Sequence, residues 1–305
     1  MRQFPLASER TAQASCRELE PKSLDRIPLW HWFALLAFDT PAVTALWLAL
    51  FAEVLHVPLE GPHYMVVFGA VWLFLIFNRS VRALWNGHSE SGDPRVVFFN
   101  AERWPLLTLS PFVLISLVII AATRMSWLEQ AGLFLVGACA AVYLVCGLFY
   151  FQRTESLLPR EIAHALFTTS LVALFVLVNG VFPPATVASL LVLLLVLLGL
   201  CFWVSSLLEW KAQIRAAKPL APRLFQTDLK AAWISGAVAL LALMLTPVEV
   251  NHPVAPVLIA VAAAAANLFL LAQFGHLLNG LTARCLSRLF LLTPIIPLGL
   301  SWAGH

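Results

Sequence analysis

The sequence has little charge. Only 11% of its 305 residues are Asp, Glu, Lys or Arg, while 61% are hydrophobic, and an average soluble domain is about 25% charged. That excludes an ordinary soluble protein. It also has no Gly- or Ser-rich tract, with 14 Gly and 19 Pro in all, and its mean hydropathy is +0.86. Disorder, a collagen-like fibre and a coiled coil are thereby excluded. The five cysteines form no CxxC pair and lie near no His/Cys cluster. Cys139, Cys146, Cys201 and Cys285 read as buried thiols in or beside apolar segments, and Cys16 lies in a polar tail. No metal site is expected. A Ser/His/Asp set, a P-loop and a dinucleotide loop are missing, and no basic helix is interleaved with aromatics, so nucleic acid is not an expected partner.

What is present is a series of long apolar segments. Residues 1–28 form a polar tail that mixes acids with bases and has no short apolar core, which predicts a cytoplasmic N-terminal tail rather than a signal peptide or a presequence. Beyond it lies a membrane domain, 29–305, with nine candidate spans near 31–55, 63–85, 105–123, 128–151, 161–180, 184–208, 229–246, 252–274 and 283–303. Crossing ~30 Å of hydrocarbon takes about 20 residues of helix. Polar loops at about 86–104 and 209–228 separate spans 2 and 3 and spans 6 and 7. With this segmentation, every Lys and Arg except Arg124 falls on one side of the membrane. By the positive-inside rule that side, carrying the tail and both long loops, is cytoplasmic and the C-terminus is outside. The expected fold is an all-α, polytopic integral membrane protein of nine transmembrane helices, in a bacterial inner membrane.

Several polar residues stand where hydrocarbon opposes them. Asp39 falls inside span 1, where a carboxylate costs about 2.5–3.5 kcal/mol on insertion scales unless it is paired or wetted. It is either a substrate or ion contact, or lies nearer the interface or beside an Arg of span 2. Asn179 and Asn267 suit hydrogen bonds between helices, and the run from Ala262 to Ala266 suits a close-packed central helix. At the end of span 2, spacings of four place Asn78, Arg82 and Asn86 on one face with Arg79 beside them. They either converge on a cytoplasmic cavity or anchor the helix at the interface by snorkelling. After span 6, in the stretch that begins at Glu209, the pair Lys211 and Arg215 shares one helical face and repeats this choice: a basic face on anionic lipid, or a lip for a phosphate-bearing substrate. His164 and His276 have no evident partner.

Nine helices in this orientation, with long cytoplasmic loops after helices 2 and 6, resemble the UbiA superfamily of intramembrane prenyltransferases. The family's N-D-x-x-D-x-x-x-D signature ends helix 2. Here Asn78 matches its Asn, and the aspartate positions hold Arg79, Arg82 and Asn86. The stretch Tyr150-Phe151-Gln152-Arg153-Thr154, followed by Pro159, is similar to the family's Tyr…Lys-Arg-x-Thr…Pro, and Glu209 with Gln213 is what remains of its second acidic motif.

The resemblance implies a UbiA-like bundle with a cavity for an isoprenoid or lipid diphosphate at its cytoplasmic end. Asn78, Arg79, Arg82, Asn86, Arg153, Glu209, Lys211 and Arg215 would bind the substrate, and Asp39 would be a catalytic base. Mg²⁺ takes oxygen ligands, so guanidiniums cannot hold it. No cofactor is expected, and Mg²⁺ only if the family mechanism survives. Arginine can pair with a diphosphate directly. Three functions stay open: a UbiA-like lipid-binding protein that has lost or altered metal-dependent prenyl transfer, an active prenyltransferase with a modified site acting on an aromatic acceptor, and an unrelated transporter or structural subunit with a protein partner.

Overall fold

A computed structural model of the chain describes residues 32–33, 35–86, 94–150, 158–180, 183–217, 225–245, 254–275 and 280–303. These residues are all-helical, with no strand among them. In order they form α1 (Asp39–Val54), α2 (Gly61–Asn86), α3 (Pro94–Arg124), α4 (Trp127–Tyr150), α5 (Leu158–Asn179), α6 (Pro184–Ala217), α7 (Phe225–Leu245), α8 (Ala255–Phe274), α9 (Gly280–Leu289) and α10 (Ile295–Ala303), with a 3₁₀ turn, Phe290–Leu292, between the last two. Six of them, α2 to α6 and α8, contain stretches long and apolar enough to cross a membrane. The chain is a helical membrane protein.

The other three expected spans are short or interrupted. α1 has 16 residues, because the chain turns before it through Ala37, whose φ is 60°. The apolar part of α7, Lys230–Leu245, is also short. The last segment breaks at residues 290–294, where Pro294 has no N–H to give a continuing helix and restricts the residue before it. The expected loops differ as well: 94–104 belongs to α3, and 209–217 belongs to α6. Pro94 and Pro184 open their helices at the position where a missing N–H costs least.

Inside the helices, local chemistry repairs what the sequence breaks. Pro111 removes the donor that Leu107 would meet, and the Ser110 hydroxyl donates to the Leu107 carbonyl at 2.8 Å instead. α4 starts on a capping box: the Ser126 amide donates to Glu129 Oε2 at 2.7 Å, and the Glu129 amide reaches Ser126 Oγ at 3.4 Å.

Lipid is as apolar as a leucine side chain, so close packing and polar ties hold such a bundle rather than hydrophobic burial between helices. α8 is the central helix that its alanines predict. Ala260, Ala262, Ala264 and Ala265 are buried, and α8 packs on α6, α7, α1 and the 3₁₀ turn. Glycine serves the same end where α2 meets α3: a Cβ on Gly69 would come within 2.7 Å of the Leu117 side chain. α3 and α4 lie at the periphery, exposing Phe112, Ile115, Val118, Phe134 and Leu135. Their apolar surface is what lipid would cover.

Candidate functional site

Both interruptions of the helices flank one ion pair. Asp39 follows the break at residues 35–38, and Arg288 precedes the break at 290–294. Arg288 Nε lies 3.8 Å from Asp39 Oδ2, both side chains being largely buried. The pairing also suits the local fields, since the acid opens α1 and the base sits in the last turn of α9. Non-helical backbone survives at membrane depth only where protein satisfies it. Arg79 Nη1 donates to the Leu35 carbonyl at 2.6 Å, Trp72 Nε1 to the Leu36 carbonyl at 3.0 Å, and Trp47 Nε1 to the Leu291 carbonyl at 3.1 Å. Each break is stitched to a neighbouring helix.

From Arg288 a polar layer extends across the bundle. Its Nη1 donates to Cys201 Sγ at 3.1 Å, and its guanidinium lies 4.1 Å from the centre of the Phe202 ring. The Cys201 thiol donates to the Ser287 carbonyl at 3.4 Å, and the Ser205 and Ser287 hydroxyls meet at 2.7 Å. His164 meets Phe202 nearly edge-on, with centroids 5.6 Å apart, and its Nε2 accepts the Asn78 amide at 2.5 Å. One turn earlier on α5, Glu161 Oε1 accepts the Ser206 hydroxyl at 2.5 Å. Five helices, α1, α2, α5, α6 and α9, therefore place polar groups at one end of the bundle.

Arg288 is the unusual member. Only 4% exposed, it carries five N–H donors, yet its described partners are a thiol, a ring face and a carboxylate too distant for a hydrogen bond. Nε makes no hydrogen bond. A thiol is a weak acceptor, so this guanidinium is held by partners that a stronger anion can replace.

The expected site residues divide into three groups. Asp39, Asn78 and Arg79 belong to this layer, Arg79 by supporting the break before α1. Arg82 and Asn86 extend α2 one and two turns beyond Asn78, and Glu209, Lys211 and Arg215 continue α6 beyond Ser206; for these five, only the backbone is described. Arg153 lies outside the described residues. Asp39 does meet an arginine, on α9 rather than on span 2. Sequence reasoning missed Glu161, Ser205, Ser206, Ser287 and Arg288, and left His164 without a partner. The fold alone reveals the signal: in α9, Ser287 and Arg288 are buried while Leu289 is 50% exposed, an inverted pattern that marks intramembrane sites.

A second buried cluster lies at the opposite end. Glu129 Oε1 accepts from Asn179 Nδ2 at 2.8 Å and lies 3.1 Å from His63 Nε2, while its Oε2 takes the Ser126 amide and hydroxyl. Asn179 is thus the interhelical tie that its position predicts. Every carboxylate oxygen is engaged.

The UbiA resemblance implies Mg²⁺, and the donor set does not fit it. At the first family aspartate position Arg79 donates to a backbone carbonyl, and among the described residues no three His, Cys, Asp or Glu come together as a metal site. No family model, curated protein or solved structure matches the chain.

Proposed function

We propose that the protein is a UbiA-like membrane protein that binds the anionic headgroup of an isoprenoid lipid, such as a prenyl diphosphate, in the layer between Asp39 and Arg288. Metal-dependent prenyl transfer is absent from this reading. Nine segments cross or enter a bacterial inner membrane, with the N-terminus and the polar layer on the cytoplasmic side and the C-terminus outside. The observation that carries the proposal is Arg288, a buried guanidinium with unused donors, seated where two helices are broken. A diphosphate offers the bidentate oxygen acceptors that the thiol and the 3.8 Å carboxylate do not. Arg82 on α2 and Lys211 and Arg215 on α6 follow Asn78 and Ser206 along the backbone of those helices, and the lipid tail lies along the apolar helices.

The test is binding of farnesyl diphosphate to the purified protein in detergent, with and without EDTA. Binding insensitive to EDTA, weakened about tenfold or more by Arg288→Lys, which keeps the charge and removes the planar fork, supports the reading. Strict dependence on Mg²⁺, or no binding at all, contradicts it. The paired chain breaks favour a second reading, a transporter, because discontinuous helices facing a polar site are a recurrent feature of secondary transporters. Uptake of a solute into proteoliposomes that Arg288→Lys abolishes, without prenyl diphosphate binding, would select that reading.

A further inference from the structure

A separate cavity lies at the end of the bundle away from Arg288. It encloses about 310 Å³ and is lined by Ala49, Ala52, Glu53 and His56 of the α1 terminus, by residues 57–59, and by Tyr64 and Leu298. Alanines at 49 and 52 leave the room that larger side chains would fill, and the wall mixes polar and apolar surface in similar measure. Three polar side chains face this space: a carboxylate, an imidazole and a phenol. Among the described residues none of the three has a side-chain hydrogen bond or ion pair. Glu53 and His56 are exposed, and Tyr64 is half-buried.

His56 is notable for its backbone. With φ at 48°, it occupies the left-handed position that ends α1, where the Val57 amide donates to the Ala52 carbonyl at 2.8 Å and the His56 amide to the Glu53 carbonyl at 3.3 Å. This is the Schellman arrangement, whose left-handed residue is usually glycine. Helix termination alone would be served better by glycine, and the imidazole is an addition to it.

From these observations we infer that this cavity binds a primary ammonium group carried on an aliphatic chain. An R–NH₃⁺ head has three N–H donors, and the cavity presents three acceptors: a Glu53 carboxylate oxygen, a neutral His56 ring nitrogen and the Tyr64 Oη. The carboxylate supplies the opposite charge, and charge-assisted hydrogen bonds are the strong ones. Ala49, Ala52, Val57, Leu59 and Leu298 take the aliphatic part. Its source is either a free amine or an aminophospholipid headgroup.

The experiment titrates purified full-length protein in detergent with n-hexylammonium, n-hexyltrimethylammonium and n-hexanol, following binding calorimetrically. Hexylammonium binds, and the other two bind about tenfold more weakly or worse, because one lacks the donors and the other the charge. Glu53→Gln weakens hexylammonium by a similar factor. His56→Gly also weakens it while leaving thermal stability unchanged or raised, which separates lost recognition from lost folding. Displacement of hexylammonium by nanodiscs of phosphatidylethanolamine, and not of phosphatidylcholine, assigns the lipid as the source; no displacement by either assigns a free amine. Equal affinity for all three probes, no binding of hexylammonium, or indifference to Glu53→Gln overturns the inference.

Discussion

The two ends of this bundle bury carboxylates in opposite ways. At one end Glu129 is saturated, with Asn179, Ser126 and His63 occupying both oxygens within 3.1 Å. At the other, Asp39 and Arg288 face each other at 3.8 Å and share no hydrogen bond. A buried polar network that is fully satisfied rigidifies the structure, whereas one left partly satisfied forgoes stability. The Glu129 cluster therefore reads as a clamp that ties α2, α4 and α5 together. The Arg288 layer reads as a place for something to bind.

This contrast predicts a ranking of stability losses, measured by thermal or denaturant unfolding in detergent. Glu129→Ala is the most damaging, at about 3–5 kcal/mol, because it removes the acceptor that the buried His63 faces and that Asn179 and Ser126 share, leaving Asn179 only the Phe175 carbonyl. Arg288→Met costs less, about 1–3 kcal/mol, since it removes weak partners and leaves Asp39 without a counter-charge. Ser126→Ala removes the cap of α4 and costs about 1 kcal/mol. Smallest is the double substitution Asp39→Leu/Arg288→Met, within about 1 kcal/mol of wild type, because an ion pair replaced as a unit by apolar side chains leaves no orphaned charge. That double variant should fold and lose headgroup binding. If instead it costs as much as Glu129→Ala, the Asp39–Arg288 pair is a clamp too, and the distinction between the two ends fails.

The saturated end was nearly legible in the sequence. Ser126-x-x-Glu129 is a capping-box pattern just after a span, and Asn179 sits at the matching end of the next helix, so both partners lie near segment boundaries that hydropathy marks. The other end was legible only in pieces. Asp39 and Asn78 stand out because charged and amide groups are rare in apolar helices. Arg288 does not, although it falls inside the expected span 283–303: it lies within two turns of that span's cytoplasmic edge, so it reads, with Arg284, as one of the basic residues that orient the chain. Its burial is decided by tertiary packing on α6 and α1, which composition cannot supply. The broken spans were hidden for a related reason: hydropathy measures how apolar a segment is and is blind to a turn such as Ala37, whose carbonyl neighbours are satisfied by Arg79 and Trp72 from another helix.

The central claim is that the layer around Arg288 receives a lipid headgroup. Its most direct test is photo-crosslinking with a prenyl diphosphate carrying a diazirine beside the diphosphate, followed by mass-spectrometric mapping of the labelled peptides. Labels on α1, α6 and α9, suppressed in the Asp39→Leu/Arg288→Met variant and by excess farnesyl diphosphate, are the predicted result. Labelling spread over the outward faces of α3 and α4, unaffected by that variant, would show a probe merely dissolved in the surrounding amphiphile and would contradict the account.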